Sequence, residues 1–184
     1  MTDDTPHWIP SAARVAAAQL TEFHAFARER GAPGGDYSSL WQWSVDEPAA
    51  FWSAVFDFTG VIAERGPGPV LRDGDRMPGA TWFESTRLNF AENLLRGTGV
   101  GPAIIARDER GRRREVSWDQ LRAEVARVAD GLRTAGVVAG DRVAGFLPNL
   151  PEAIVAMLAT TSLGATWSSC SPDFGTAGVL DEVE

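Results

Sequence analysis

No lysine occurs in the 184 residues; all 17 basic side chains are arginine. The chain therefore supplies no Schiff-base lysine, no lysine general base and no lysine for a phosphate-binding loop. Abundant alanine and glycine point to GC-rich coding as the origin of this bias, and the exclusion holds whatever its origin. Cys170 is the single cysteine, so neither an internal disulfide nor a cysteine-based zinc cluster can form. Histidine is nearly as scarce. His7 sits in an entry segment bounded by Pro6 and Pro10, and His24 lies on a predicted helix beside Phe23. A lone histidine on a helix is far more often a surface or satisfied group than a ligand. No apolar run approaches the roughly 20 residues that cross a bilayer. The N-terminus has no basic-then-apolar leader pattern, so a cytoplasmic protein is expected. What the chain does have is acid: 25 Asp and Glu give a net charge of −8. That balance argues against nucleic acid or an anionic membrane surface as partner. The 44% hydrophobic and 23% charged fractions allow one domain with a core, or a domain plus an extension.

The organising stretch is GDRVAGFLPNLPEAIVAMLATTSLGATWSSCSPDFG, residues 140–175. The run 143–147 reads as a buried strand stopped by Pro148. Helical spacing over 150–163 places Ile154, Met157, Leu158 and Thr161 on one face, with Pro151 in the first turn and Gly164 after the last. A second strand follows over 165–170. A connection of this length predicts two parallel strands joined by a right-handed crossover. In open α/β sheets, ligands bind past the carboxyl ends of the strands. Pro148-Asn149 and residues 171–175 are the segments in that position.

Upstream, 11–30 is predicted as one helix with a stripe of Ala16, Leu20, Phe23 and Ala27. The aromatic stretch YSSLWQWSVDEPAAFWSAVFDFTG (37–60) holds a helix that Asp46 is expected to cap, burying Phe51, Trp52, Val55 and Phe58. It has the composition of an aromatic ligand box, but packing of an extension onto a larger body is the stronger reading. Residues 60–77 read as a surface connection, and their glycines lack phosphate-loop order. Asn89 is expected to cap a helix over 90–96 that buries Leu94 and Leu95. The glycine-rich segment 97–102 reads as a hinge. Residues 103–107 and 113–117 form a predicted β-hairpin with Arg107, Arg110, Arg112, Arg113 and Arg114 near its tip. Five arginines can meet a phosphate, though a charged tip is more often simply solvated. Ser117 and Gln120 spell a capping box for a helix burying Leu121, Val125, Val128 and Leu132. Residues 177–184 read as the first turns of a further helix. A hairpin and two parallel strands fall short of a usual sheet of about five or six strands. The sequence is therefore expected to be the first part of a longer protein.

Three blocks carry a family resemblance: YSSLWQWSVDEPAAFW (37–52), WFESTRLNFAENLL (82–95) and the 140–175 stretch. Together they resemble the N-terminal part of adenylate-forming acid–thiol ligases of the acetyl-CoA synthetase type. The GDRV…PN-x-PEA…LGA pattern is shared across that superfamily. WSSCSPDFG resembles its acetoacetate-activating branch, where the acetyl enzymes have a glycine-rich segment. The resemblance implies an α/β fold: an N-terminal helical extension (1–96), then the hairpin and β-α-β start of an incomplete adenylation domain (97–184). It implies a reaction of acetoacetate, ATP and CoA through an acyl-adenylate, with Mg2+ in the complete enzyme. The family's Pro-Lys phosphate loop, ribose-binding aspartate and adenylation lysine are absent, so no catalytic or metal residue is assigned. Only Ser171, Pro172 and Asp173 carry over, as lining of the CoA channel. Pro-Asp stands there where the acetyl enzymes have glycines. Cys170 is expected to be a buried strand-end residue, not a nucleophile. Two other readings stay open: a non-catalytic binding module with the same fold, and a small flavodoxin-like nucleotide binder. The latter lacks a phosphate loop after its first strand.

Overall fold

The computed structural model describes residues 6, 8–175 and 178–179. His7 and most of the helix expected at 177–184 lie outside them. The chain divides into two compact units, Met1–Arg87 and Leu88–Glu184.

In the first unit the single helix expected over 11–30 is two, α1 (Ala12–Ala16) and α2 (Gln19–Arg28). Ser11 caps α1 by accepting from the Arg14 amide. Ala18 is extended between them, and the Thr21 hydroxyl donates to the Val15 carbonyl across the break at 2.6 Å. The reason is burial. Of the predicted stripe only Phe23 and Ala27 reach the core, while Leu20 is half exposed. An N-terminal turn without packing has little to hold it in line.

Asp36 caps α3 (Tyr37–Asp46), its carboxylate accepting from the Ser39 amide and hydroxyl. Asp46 does not cap the next helix, contrary to expectation. It ends α3 and accepts from Gln42 Nε2 at 2.8 Å. Helix α4 (Pro48–Phe58) begins without any side-chain cap. Pro48 starts it instead, with its dihedral already helical and no N–H to satisfy. The aromatic stretch largely packs these helices together. Phe23, Ala27, Leu40, Trp43 and Ala54 are buried, with Phe23–Phe58 and Trp43–Phe51 edge-to-face at 5.2 and 5.7 Å. Trp52, predicted to be buried, is 46% exposed; Ala54 takes the inward position. The predicted surface connection supplies β1 (Leu71–Arg72), which pairs antiparallel with β2 (Thr81–Trp82) just beyond it. It is pinned to α4 where Phe83 stacks on Phe56 at 5.0 Å and Arg65 bonds Asp57 and Ser53.

The second unit starts with α5 (Phe90–Leu95), capped by Asn89, which accepts from the Glu92 amide. Its inward residues are Ala91 and Leu95. Leu94, expected to be buried, is 45% exposed, because small Ala91 lets the helix approach its neighbours on the other side. The hairpin β3 (Ile104–Arg107) and β4 (Arg113–Val116) is antiparallel as predicted. Helix α6 (Trp118–Thr134) opens with the Ser117–Gln120 capping box. Then come β5 (Arg142–Phe146), α7 (Pro151–Ser162) and β6 (Thr166–Cys170). Strands β5 and β6 are parallel, in register from Arg142↔Thr166 to Phe146↔Cys170. The described strands thus form three two-stranded sheets.

Helix α7 packs on α5 and α6. It buries a broader face than the predicted stripe: Pro151, Val155, Leu158, Ala159 and Thr160 are the buried positions. Gly164 adopts φ +75°, the left-handed turn that lets the chain drop from α7 into β6. Two side chains tie distant ends. Asn89 Nδ2 donates to the carbonyls of Thr161 and Ser162 in the last turn of α7, the first of which also accepts from the Gly164 amide. Arg122 Nη1 donates to the carbonyls of Leu95 and Gly97. Gly97, placed at the start of the expected hinge, lies under the Trp118 indole so closely that any Cβ would collide with the ring. Among the described residues, no helix is long and apolar enough to cross a membrane.

Candidate functional site

The parallel register sends two loops out of the same end of the β5–β6 sheet. The Leu147 amide still donates to the Cys170 carbonyl at 3.3 Å, and beyond this bond the chains part. Cys170, the last residue of β6, is buried, as expected of a strand-end cysteine. Past it, residues 171–174 fold on themselves. The Ser171 hydroxyl donates to Asp173 Oδ2 at 2.9 Å and accepts from the Asp173 amide, and the Phe174 amide donates to the Ser171 carbonyl. The turn is local and self-satisfied, and Pro172 and Asp173 are exposed beside a half-exposed Phe174. Among the described residues, Asp173 Oδ1 has no hydrogen-bond partner.

The other loop turns at Pro148, where the Leu150 amide donates to the Pro148 carbonyl at 2.8 Å. It enters α7 at Leu150, which offers no side-chain cap. Here the hairpin joins the site. Asn149, Leu150 and Pro151 share a cavity of about 340 Å³ with Ala106, Arg107, Asp108, Arg112, Arg113 and Arg114. Sequence reasoning placed the arginines on a solvated tip and Asn149 past a strand; the fold brings them together. The link is Arg114, whose Nη1 donates to Glu152 Oε1 at 2.5 Å across 38 residues. This bond holds the Glu152 carboxyl below the usual carboxylate range. Arg112 likewise bonds Asp108 at 2.6 Å, and with two backbone amides keeps that carboxyl low. Arg113 pairs with Glu115. Nothing local in the sequence marks Glu152 as a hairpin partner.

The remaining candidates are structural. His24 Nε2 lies 3.3 Å from the Pro33 carbonyl, tying α2 to the turn after it. Among the described residues, no group of three or more His, Cys, Asp or Glu could hold a metal. In the first unit, Leu20, Tyr37, Trp41, Phe51 and Phe58 help to line an apolar groove of about 380 Å³. It contains no convergent charged groups.

Two family models match in succession. Residues 37–94 match the acetyl-coenzyme A synthetase N-terminus, and residues 94–181 match the AMP-binding enzymes. An acetoacetyl-coenzyme A synthetase of Rhizobium meliloti (strain 1021) is 50% identical over 182 residues, 98% of this chain and 28% of its own length. A malonamoyl-CoA synthetase of Penicillium aethiopicum is 36% identical over 181 residues, 92% of this chain and 25% of the relative. The solved acetoacetyl-CoA synthetase from Streptomyces lividans superposes with a TM-score of 0.88 at 47% identity, covering 96% of this chain and 28% of that one. The chain spans little more than a quarter of the length of these relatives. The two adjoining matches, the level of identity and the superposition converge: the chain is similar in its second half to the AMP-binding enzymes and corresponds to the N-terminal part of the acetoacetyl-CoA synthetases.

Proposed function

We propose that the chain is the front of an acetoacetate–CoA ligase, which converts acetoacetate, ATP and CoA into acetoacetyl-CoA, AMP and diphosphate through an acyl-adenylate. The observation that carries this reading is 50% identity to an acetoacetyl-coenzyme A synthetase along 98% of the chain. ATP with Mg2+ supplies the activating group in such a reaction, and CoA supplies the thiol. This chain has no lysine, so any lysine contacting the phosphates comes from elsewhere in the enzyme. Its own contribution is the 171–173 turn, proposed as lining of the CoA channel. Asp173 Oδ1 is free to accept an amide N–H, a group the pantetheine arm carries. The rigid Pro172 presents an apolar side. The functional division is proposed at 96/97, close to the junction of the two family matches. The partners are small molecules, not nucleic acid or membrane, and the compartment is the cytoplasm.

The test has two arms. The purified 184-residue chain is expected to form no acetoacetyl-CoA from acetoacetate, ATP and CoA. The DNA beyond the Glu184 codon is expected to continue in frame into a Ser/Thr/Gly-rich loop ending in Pro-Lys. Turnover by the chain alone, or a stop codon with a native protein of this size, overturns the reading.

A further inference from the structure

We propose that the cavity between the β3–β4 hairpin and the start of α7 binds a phosphate-type anion, with Arg107 as its principal contact. Four of the nine lining residues are arginines and one, Asp108, is acidic. This concentration of positive charge stands out in a chain of net charge −8. Arg107 and Arg113 are directly opposite in the hairpin register. Like charges opposite one another destabilise a strand pair unless something neutralises them. Arg113 is answered by Glu115, Arg112 by Asp108 and Arg114 by Glu152. Arg107 alone among the lining arginines has no carboxylate partner among the described residues, and it is exposed to the cavity's solvent.

The second wall has the same preference. Leu150 and Pro151 open a 12-residue helix with no side-chain cap, so the positive end of its dipole borders the cavity. Glu152 already exploits that end. Its carboxylate sits in the first turn, held by Arg114. It acts as an internal anion, and an external phosphate would share Arg114 with it while gaining Arg107. The cavity also lies past the carboxyl end of β5, where parallel sheets take ligands. Its volume is at the lower end of small-molecule sites. The chemistry is that of a phosphate ester or diphosphate, whether free, on a nucleoside triphosphate or on CoA. The inference rests on charge and geometry in this chain and not on the ligase reading.

Sodium pyrophosphate is titrated into the 15N-labelled 184-residue chain at low ionic strength. Saturable shifts are expected at the amides of Arg107, Asn149 and Glu152. R107Q is expected to weaken binding about fivefold or more, the loss of one charge-assisted contact. R110Q removes the same charge from the same hairpin but outside the cavity, and is expected to stay within about twofold, as for a screened surface charge. E152Q removes the internal competitor and is expected to tighten binding about threefold. Far-UV dichroism checks that each variant folds. Competition by ATP or CoA identifies the source of the phosphate, and displacement by neither assigns the site to free anions. Absence of saturation, or equal losses in R107Q and R110Q, overturns the proposal. No thioester is measured, so the result is independent of the ligase assay.

Discussion

Thr160 carries the one buried side-chain polar atom without a partner among the described residues, its hydroxyl inside a fully buried position of α7. A hydroxyl dehydrated without compensation costs on the order of 1–3 kcal/mol. Thr160→Val keeps the shape and the β-branch and removes the orphan. It is expected to stabilise the second unit by about 1 kcal/mol, read as a higher urea midpoint with unchanged slope. Thr160→Ser keeps the orphan and loses a methyl, so it is expected to move the midpoint the other way. At this scale the sequence was most legible where the signal is local. Ser117 with Gln120, Asn89 and the buried Cys170 follow from neighbours within four residues. Asp46 misled because an acid before Glu47-Pro48 looks like a cap, yet α3 extends through it.

Among the elements, strands and helices of the second unit were legible because period-2 and 3.6-residue patterns act within one segment. The ties between elements were not. Asn89 is the example. Its oxygen caps α5, while its amide donates to two carbonyls 72 and 73 residues later. Asn89→Ala removes the cap and both long bonds, and is expected to cost about 2 kcal/mol. Asn89→Asp keeps the cap acceptor but sets a carboxylate against the α7 carbonyls. If the long-range bonds matter, it is expected to be nearly as destabilising as alanine in denaturant unfolding. If Asn89→Asp behaves as wild type, capping alone is its role. The arginine-lined cavity escaped sequence reasoning for the same reason. Each wall was read correctly as a hairpin or a strand end, but their meeting depends on Arg114 reaching Glu152.

For the whole molecule, acid is the informative variable. Asp36, Asp108 and Glu152 all titrate below their ordinary values. The leading causes are hydrogen bonds from the Ser39 amide, the Arg112 side chain and the Arg114 side chain. A depressed folded-state value means that stabilisation is present above the unfolded value, about pH 4, and is lost as pH falls through the folded one. All three are solvent-accessible, so each contribution is small. Thermal midpoints are expected to fall from pH 5 to below 4, and E152Q and D108N are each expected to flatten that slope. Equal slopes in wild type and both variants would leave general charge repulsion among the 17 arginines as the cause.

The Asn89 tie also bears on the order in which the protein is made. Helix α5 is six residues long, well short of the roughly 12–15 at which an isolated helix becomes marginally stable. It depends on Arg122 in α6 and on the end of α7, both of which leave the ribosome later. At about 5–20 residues per second, Asn89 waits roughly 4–14 s for Thr161. The nascent chain therefore carries residues 88–97 as an unsettled loop through most of the second unit's synthesis. The layer is complete only when the last turn of α7 arrives.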